Sequence, residues 1–445
     1  MSTIQTPRRL LLGLFCAGLT ALLMSCGGGG GGGGSAGNLG LGTGTAIGGD
    51  GPSGNGTGAG GNGTGAGTGS PGSGDTASNG NPDGVGSGGT GVTADAAGIG
   101  AADGLGSIIL NGLRYNTDTA TFTIEDATEL QIGMSARVAG KVDPDFTRGI
   151  ATQVVSGAEL RGAVSRIDVK AGSFVVMGIG VTIDAATVWA DASGLASVTD
   201  GSVVQVWGLP GAPGTLRATR VLTAPTLTAP LVTGAIQNLN VLNQTFTLGQ
   251  LTVNYGGASF VGIDAPSLAN GVIVRARSTA APTGNGLTAT QVEGWYAIPV
   301  NNGIALQLAG DITDFVSRGA FKVLGTPVDA TNGQITGGPV GSLGNGVKVE
   351  VDGFMSGGVL VVKKLRIRHV PGTGGPASFT LIGAIGGYQS AARFRVQGQP
   401  VNASGPGTTF ENGTAANLAN GQRVAVVGDR VVDGVLIAQR VTFNP

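Results

Sequence analysis

From about residue 104 onward, apolar and polar positions alternate in runs of four to eight residues. The runs are rich in Val, Ile, Thr and Phe, and Gly, Asn and Asp break them. Period-two alternation with turn residues at its ends is the pattern of half-buried strands. No stretch carries a helical period of useful length, so the expected fold class is all-β.

The pattern also repeats. Four segments open with Gly-x-Ile or a close variant, at Gly162, Gly234, Gly310 and Gly383. About ten residues later each has a Phe-led strand, at Phe174, Phe246, Phe321 and Phe394. An apolar residue then precedes Asp184, Asn254, Asp329 or Asn402. A Gly-led strand follows: Gly201–Gly208, Gly346–Gly353 and Gly421–Gly428. In the second of the four, Gly271 leads but Ser278 stands where the closing Gly belongs. A final strand ends each segment. A shorter first unit is expected to open at Gly106-Ser107-Ile108, to use Phe122 as its Phe strand, and to lack part of the middle. The expected divisions are 104–158, 159–229, 230–305, 306–373 and 374–445, a tandem array of about five units. Five or six short strands in about 72 residues are enough to close a small barrel and remove exposed edges.

These markers resemble a bacterial family of tandem OB-like β-barrel domains of unknown function, common in exported lipoproteins. The resemblance implies an extracytoplasmic barrel array and no particular reaction.

The N-terminal quarter reads differently. Arg8 and Arg9 precede an apolar run from Leu10 to Met24, too short for the ~20 residues of a spanning helix. Leu23-Met24-Ser25-Cys26 resembles a lipobox, which implies a signal peptide over 1–26 and acylation of Cys26, with Gly27 after it favouring the outer membrane. Several acyl chains on one Cys give stable anchoring where a single chain does not. Residues 27–103 are dominated by Gly, Ser, Thr, Ala, Asn and Asp, without Lys, Arg or aromatics. Such a segment is expected to be a disordered linker, with an r.m.s. span of about 50 Å.

Composition restricts the chemistry. Losing Arg8 and Arg9 with the leader leaves 23 basic against 26 acidic groups, a balance that gives no field for nucleic acid. Cys26 would be the only cysteine after processing, and His369 is the only histidine, so no internal disulfide or His/Cys metal cluster is expected. No cofactor is indicated.

The four repeated Phe residues are read as core rather than as a stacking surface, and the Asp/Asn series as turn formers rather than cation ligands. Lys363, Lys364, Arg366, Arg368 and His369 form a basic run whose Lys364, Arg366 and Arg368 share one strand face. They are candidates for an acidic ligand, against the reading of a solvated strand face. Trp189 and Trp207 are candidates for stacking on sugar, against core packing, as is Trp295. The sequence therefore points to a non-enzymatic, membrane-anchored module for structure, adhesion or binding at the cell envelope, with a glycan or protein partner. An envelope-polysaccharide-binding protein is the alternative, and a carboxylate-dependent hydrolase a distant third.

Overall fold

The computed structural model describes residues 93–445 apart from 225, 227, 228 and 376. The expected leader, Cys26 and most of the expected linker lie outside the described residues. What is described is all β, with four single-turn 3-10 helices and no α-helix among the described residues.

The chain opens with β1 (Ala94–Leu105), β2 (Ile108–Leu110), β3 (Leu113–Asn116), β4 (Thr121–Ile124), β5 (Ser135–Val142) and β6 (Gly149–Ser156). β1 pairs antiparallel with β2, and β2 with β3. β3 then runs parallel to β6, β6 antiparallel to β5, and β5 antiparallel to β1, which closes a barrel. The short β4 adds to β6. The same circuit recurs after the opening strands Leu160–Asp168, Leu231–Ala235, Ala305–Ser317 and Phe379–Ser390. In the segment that opens at Leu231, the first and last strands are each broken in two.

Two glycine positions of the repeat have steric causes. The closing Gly of each Gly-led strand sits at a break in strand register, at Gly140, Gly208, Gly353 and Gly428. A Cβ there would meet the opposite strand's carbonyl oxygen at 2.0, 2.5, 2.2 and 2.3 Å. These are β-bulges where the strand bends around the barrel. The opening Gly lies beneath the β2–β3 type of hairpin, whose two turn residues both have positive φ: Asn111-Gly112, Met177-Gly178, Leu324-Gly325 and Gln397-Gly398. The first turn side chain folds back onto the opening strand. A Cβ on Gly162 would meet Met177 at 2.7 Å, and one on Gly383 would meet Gln397 at 2.6 Å. At Gly234 the nearest atom is 3.7 Å away, because the matching turn residue is Gly249.

That rule corrects the expected first unit. Its opening glycine is Gly100, beneath Asn111, and its hairpin is β2–β3. The unit is complete, and Phe122 lies on β4 and is exposed. The expected linker also ends earlier than 103, since Ala94–Leu105 is a strand buried from Ala96 to Ala102. Composition predicts that such small residues cannot bury a core. They are small because the backbone is approached on both sides: β5 lies along one edge of β1 and Ala305–Leu308 along the other. At its end Gly104-Leu105 pairs with Thr380-Leu381, where a Cβ on Gly104 would be 2.3 Å from the Thr380 carbonyl oxygen. β1 thus joins three barrels into one hydrogen-bonded sheet.

The cores are filled as the pattern requires. Phe174, Phe246, Phe321 and Phe394 are all buried. Asn116, Asp184, Asn254, Asp329 and Asn402 each accept a backbone N–H two residues ahead, the Asx-turn geometry.

Asn111 is buried and bonds the Ile99 carbonyl at 2.9 Å, so it cannot yield to a new methyl 1.9 Å from its Oδ1. Gly100→Ala is therefore expected to lower stability by about 2 kcal/mol in urea titration, while Gly234→Ala changes it by less than about 0.5 kcal/mol. Equal effects of the two would contradict this account of the opening glycine.

Candidate functional site: the polar seam between barrels

A set of charged side chains that strand alternation turns away from one barrel's core meets a second barrel instead of water. Arg275 and Arg277 lie two residues apart on Ile273–Arg277, on one face, with Glu293 directly across from Arg275. Arg275 is fully buried; it pairs with Glu293 and with Glu125 of the β4–β5 segment. Arg277 bonds Glu293 at 2.8 Å and Glu125 at 2.7 Å. Asp126 takes Arg161 of the neighbouring opening strand, and Arg161 also donates to Gln205 at 2.8 Å. Trp295 lies between two guanidinium groups, Arg275 at 3.2 Å and Arg137 at 3.8 Å from its ring centre. Its indole N–H donates to Glu159 at 2.9 Å, and Glu159 also accepts from Tyr296 at 2.6 Å. Cations held on both faces of an indole and a carboxylate at its edge fix the ring in one orientation.

A second set joins other barrels. Tyr115 donates to Gln307, which donates to Asp352 at 2.9 Å. Arg217 bonds Asp311 at 2.9 Å, and Lys348 lies 3.5 Å from Asp184. Around a small cavity of about 20 Å³ stand Asp103, Asp184, Lys348, Glu350, Arg368 and His369. Burial, with the nearby Glu350 charge, pushes Asp103 up to about 7 against the pull of Arg368 and Lys348. Burial also works to raise Asp184, but Lys348 and Arg217 hold it below the usual carboxylate range. His369 is lowered by burial and by Arg217, and so favours the neutral form.

The candidates from sequence fall into this frame. Arg366 and Arg368 both pair with Glu350, at 2.8 and 3.2 Å, and Arg366 also reaches the Asn111 carbonyl. Lys364 donates to the Asp145 carbonyl. The basic strand face thus meets carboxylates and carbonyls of this same chain. Trp189 is packed among Leu160, Val164 and Val221 in a core. Trp207 is buried with Met134, Ala158 and Leu231, where barrels meet.

Trp207 also lines a cleft of about 460 Å³, together with the 126–131 segment, Arg220, the Arg395–Pro400 hairpin and Asp433-Gly434. Sequence reasoning did not single out Arg220, Arg275 or Glu293. No signal sets them apart, since other repeats also carry charge at the matching register positions: Arg440 and Lys364 stand where Arg220 does, and Arg137 and Glu350 where Arg275 does.

Three segments, 98–154, 161–221 and 382–442, match a family described as a domain of unknown function (DUF5666). The three matches show a repeated domain. The first match begins inside β1, within the stretch that composition had assigned to a linker. No curated protein matches the chain. Among the described residues no group of three His, Cys, Asp or Glu side chains gathers as a metal site.

Asp103 gives the seam a pH dependence of defined sign. Between about pH 4 and 7 the folded chain holds a proton on Asp103 that the unfolded chain releases, so this contribution to stability is lost as pH rises. His369 acts oppositely, since below about 6.5 the unfolded chain binds the proton that the folded chain refuses. Asp103→Asn removes only the first effect. Its melting temperature is expected to gain on the unsubstituted protein between pH 5 and 8, and a pH-independent offset would refute the assignment.

Proposed function

We propose that the protein is a non-enzymatic binding platform of the cell envelope, anchored through acylated Cys26 in the outer membrane. It presents five OB-like barrels as one body. The order β1–β2–β3–β6–β5–β1, with one parallel pair closing it, supports the OB-like reading, since that fold is a five-stranded Greek-key barrel. The observation that carries the platform reading is β1, which hydrogen-bonds to two barrels besides its own. Beads on a string would need no such strand and no ion pairs between barrels.

A structural or adhesive role uses the array's outer surface, and several linked weak sites raise avidity without any single strong one. The alternative, envelope-polysaccharide binding, is favoured by one feature, the cleft beside Trp207. A carboxylate hydrolase is the least supported, because the buried acids of the seam other than Asp103 are held by Arg or Lys partners or by hydrogen bonds.

Anchoring is tested by Cys26→Ser in the full-length chain expressed in a Gram-negative host. The variant is expected to lose acyl labelling and to accumulate as the uncleaved precursor. A processed, membrane-bound Cys26→Ser protein would overturn the anchoring.

A further inference from the structure

Among the buried arginines, Arg220 is unusual. Arg161, Arg217 and Arg275 each have a carboxylate partner. Arg137 has none, but the Trp295 ring covers it and it donates to the Trp295 carbonyl. Arg220 is 6% exposed. It donates to the Ile132 carbonyl at 2.9 Å and to the Gln131 amide oxygen, both neutral, and its Nε has no partner. Asp191, the acid that acts on it electrostatically, is bonded to the Thr223 backbone N–H and hydroxyl. Burial pulls Arg220 down to about 10. A buried guanidinium without a counter-charge is costly, and the second hydrogens on its Nη1 and Nη2 remain to match a carboxylate's two oxygens.

Arg220 lines the 460 Å³ cleft from the inside, beside Trp207, whose indole N–H also lacks a partner. At the rim stand the exposed Glu129, Arg395 and Asp433. With Asp126 already paired to Arg161 and Arg277, the rim acids offset the two arginines. A near-neutral cleft disfavours a polyanion or a phosphate dianion and suits a single negative charge. Hydroxyl recognition is also provided for. Gln397 and Gln399 turn their amide N–H groups to the Ile382 and Gly434 carbonyls, at 3.0 and 2.7 Å. Their amide oxygens are then left to accept from a ligand. The volume falls within the usual range for small-molecule sites and holds roughly one or two sugar rings.

We propose that this cleft, formed by three barrels, binds a uronic-acid residue of a polysaccharide, with its carboxylate on Arg220 and its hydroxyls on the glutamine amides and rim acids. The inference rests on the polysaccharide-binding alternative and gives it a ligand class and a location.

The test is calorimetric titration of residues 27–445, produced without the leader and therefore unacylated, with the methyl glycoside of galacturonic acid, which carries one carboxylate, and with its methyl ester. A glycan array with the same protein accompanies it. The acid is expected to bind at least tenfold tighter than the ester. Arg220→Lys should remove most of that difference, because a lysine keeps the charge and loses the two-pronged geometry. Should Arg220→Lys fail to fold, the exposed Arg395→Gln serves, with an expected several-fold loss of affinity for the acid and an unchanged circular dichroism spectrum. Equal binding of acid and ester, or no binding of either, overturns the inference. If the array then shows other glycans bound, only the uronate assignment has failed; a blank array removes the polysaccharide reading as well.

Discussion

Arg275 cannot be buried alone. Its guanidinium has no exposed surface, so it requires Glu293 from its own barrel, Glu125 from the first barrel and the Trp295 ring, all at once. The same holds, less severely, for Arg161 with Asp126 and Arg217 with Asp311. Ion pairs of this kind add little net stability over apolar contacts, but removing one partner costs roughly 3–5 kcal/mol. Their effect is therefore selective. Any other docking of the barrels would leave a charge buried without its partner, which is how repeats of the same fold avoid packing in alternative registers.

Small barrels need such contacts. A domain near 60 residues buries only about 60% of the surface its unfolded chain exposes and is marginal by itself. Here one core runs continuously across the second and third barrels, from Leu160 to Val292. β1 contributes differently: its Ala and Gly residues allow two neighbouring strands to approach, and it pairs along both edges. Burial and hydrogen bonding between barrels thus supply what each barrel lacks, while the ion pairs determine which surfaces meet. The cleft at Trp207 and Arg220 follows from this docking, since no single barrel contains it.

Much of the fold was legible in the sequence because it is written locally. Strand alternation, the Phe positions, the Asx turns and the bulge glycines each depend on neighbours within one repeat. The start of the first barrel was not legible. Ala94–Leu105 has almost no hydrophobic bulk, and one of its edges is covered by strands more than 200 residues away. Taking Phe122 as the first unit's Phe-led strand failed because β2 carries Ile108 where the other repeats carry Phe. The basic run at 363–369 was visible, but its acids, Glu350 and Asp352, lie on the partner strand and the face they share is set by register. Arg220 drew no notice, because an arginine in an exposed-looking alternation is ordinary until another barrel covers it.

The central claim is that the barrels unfold as one body. The tryptophans lie well for testing it: Trp189 in a barrel core, Trp207 and Trp295 where barrels meet. Urea unfolding of the mature protein should be followed both by tryptophan fluorescence and by far-ultraviolet circular dichroism. The account predicts a single transition with coincident midpoints by the two probes. A fluorescence change that precedes the loss of strand signal would mean that the barrels separate before they unfold, and would contradict it.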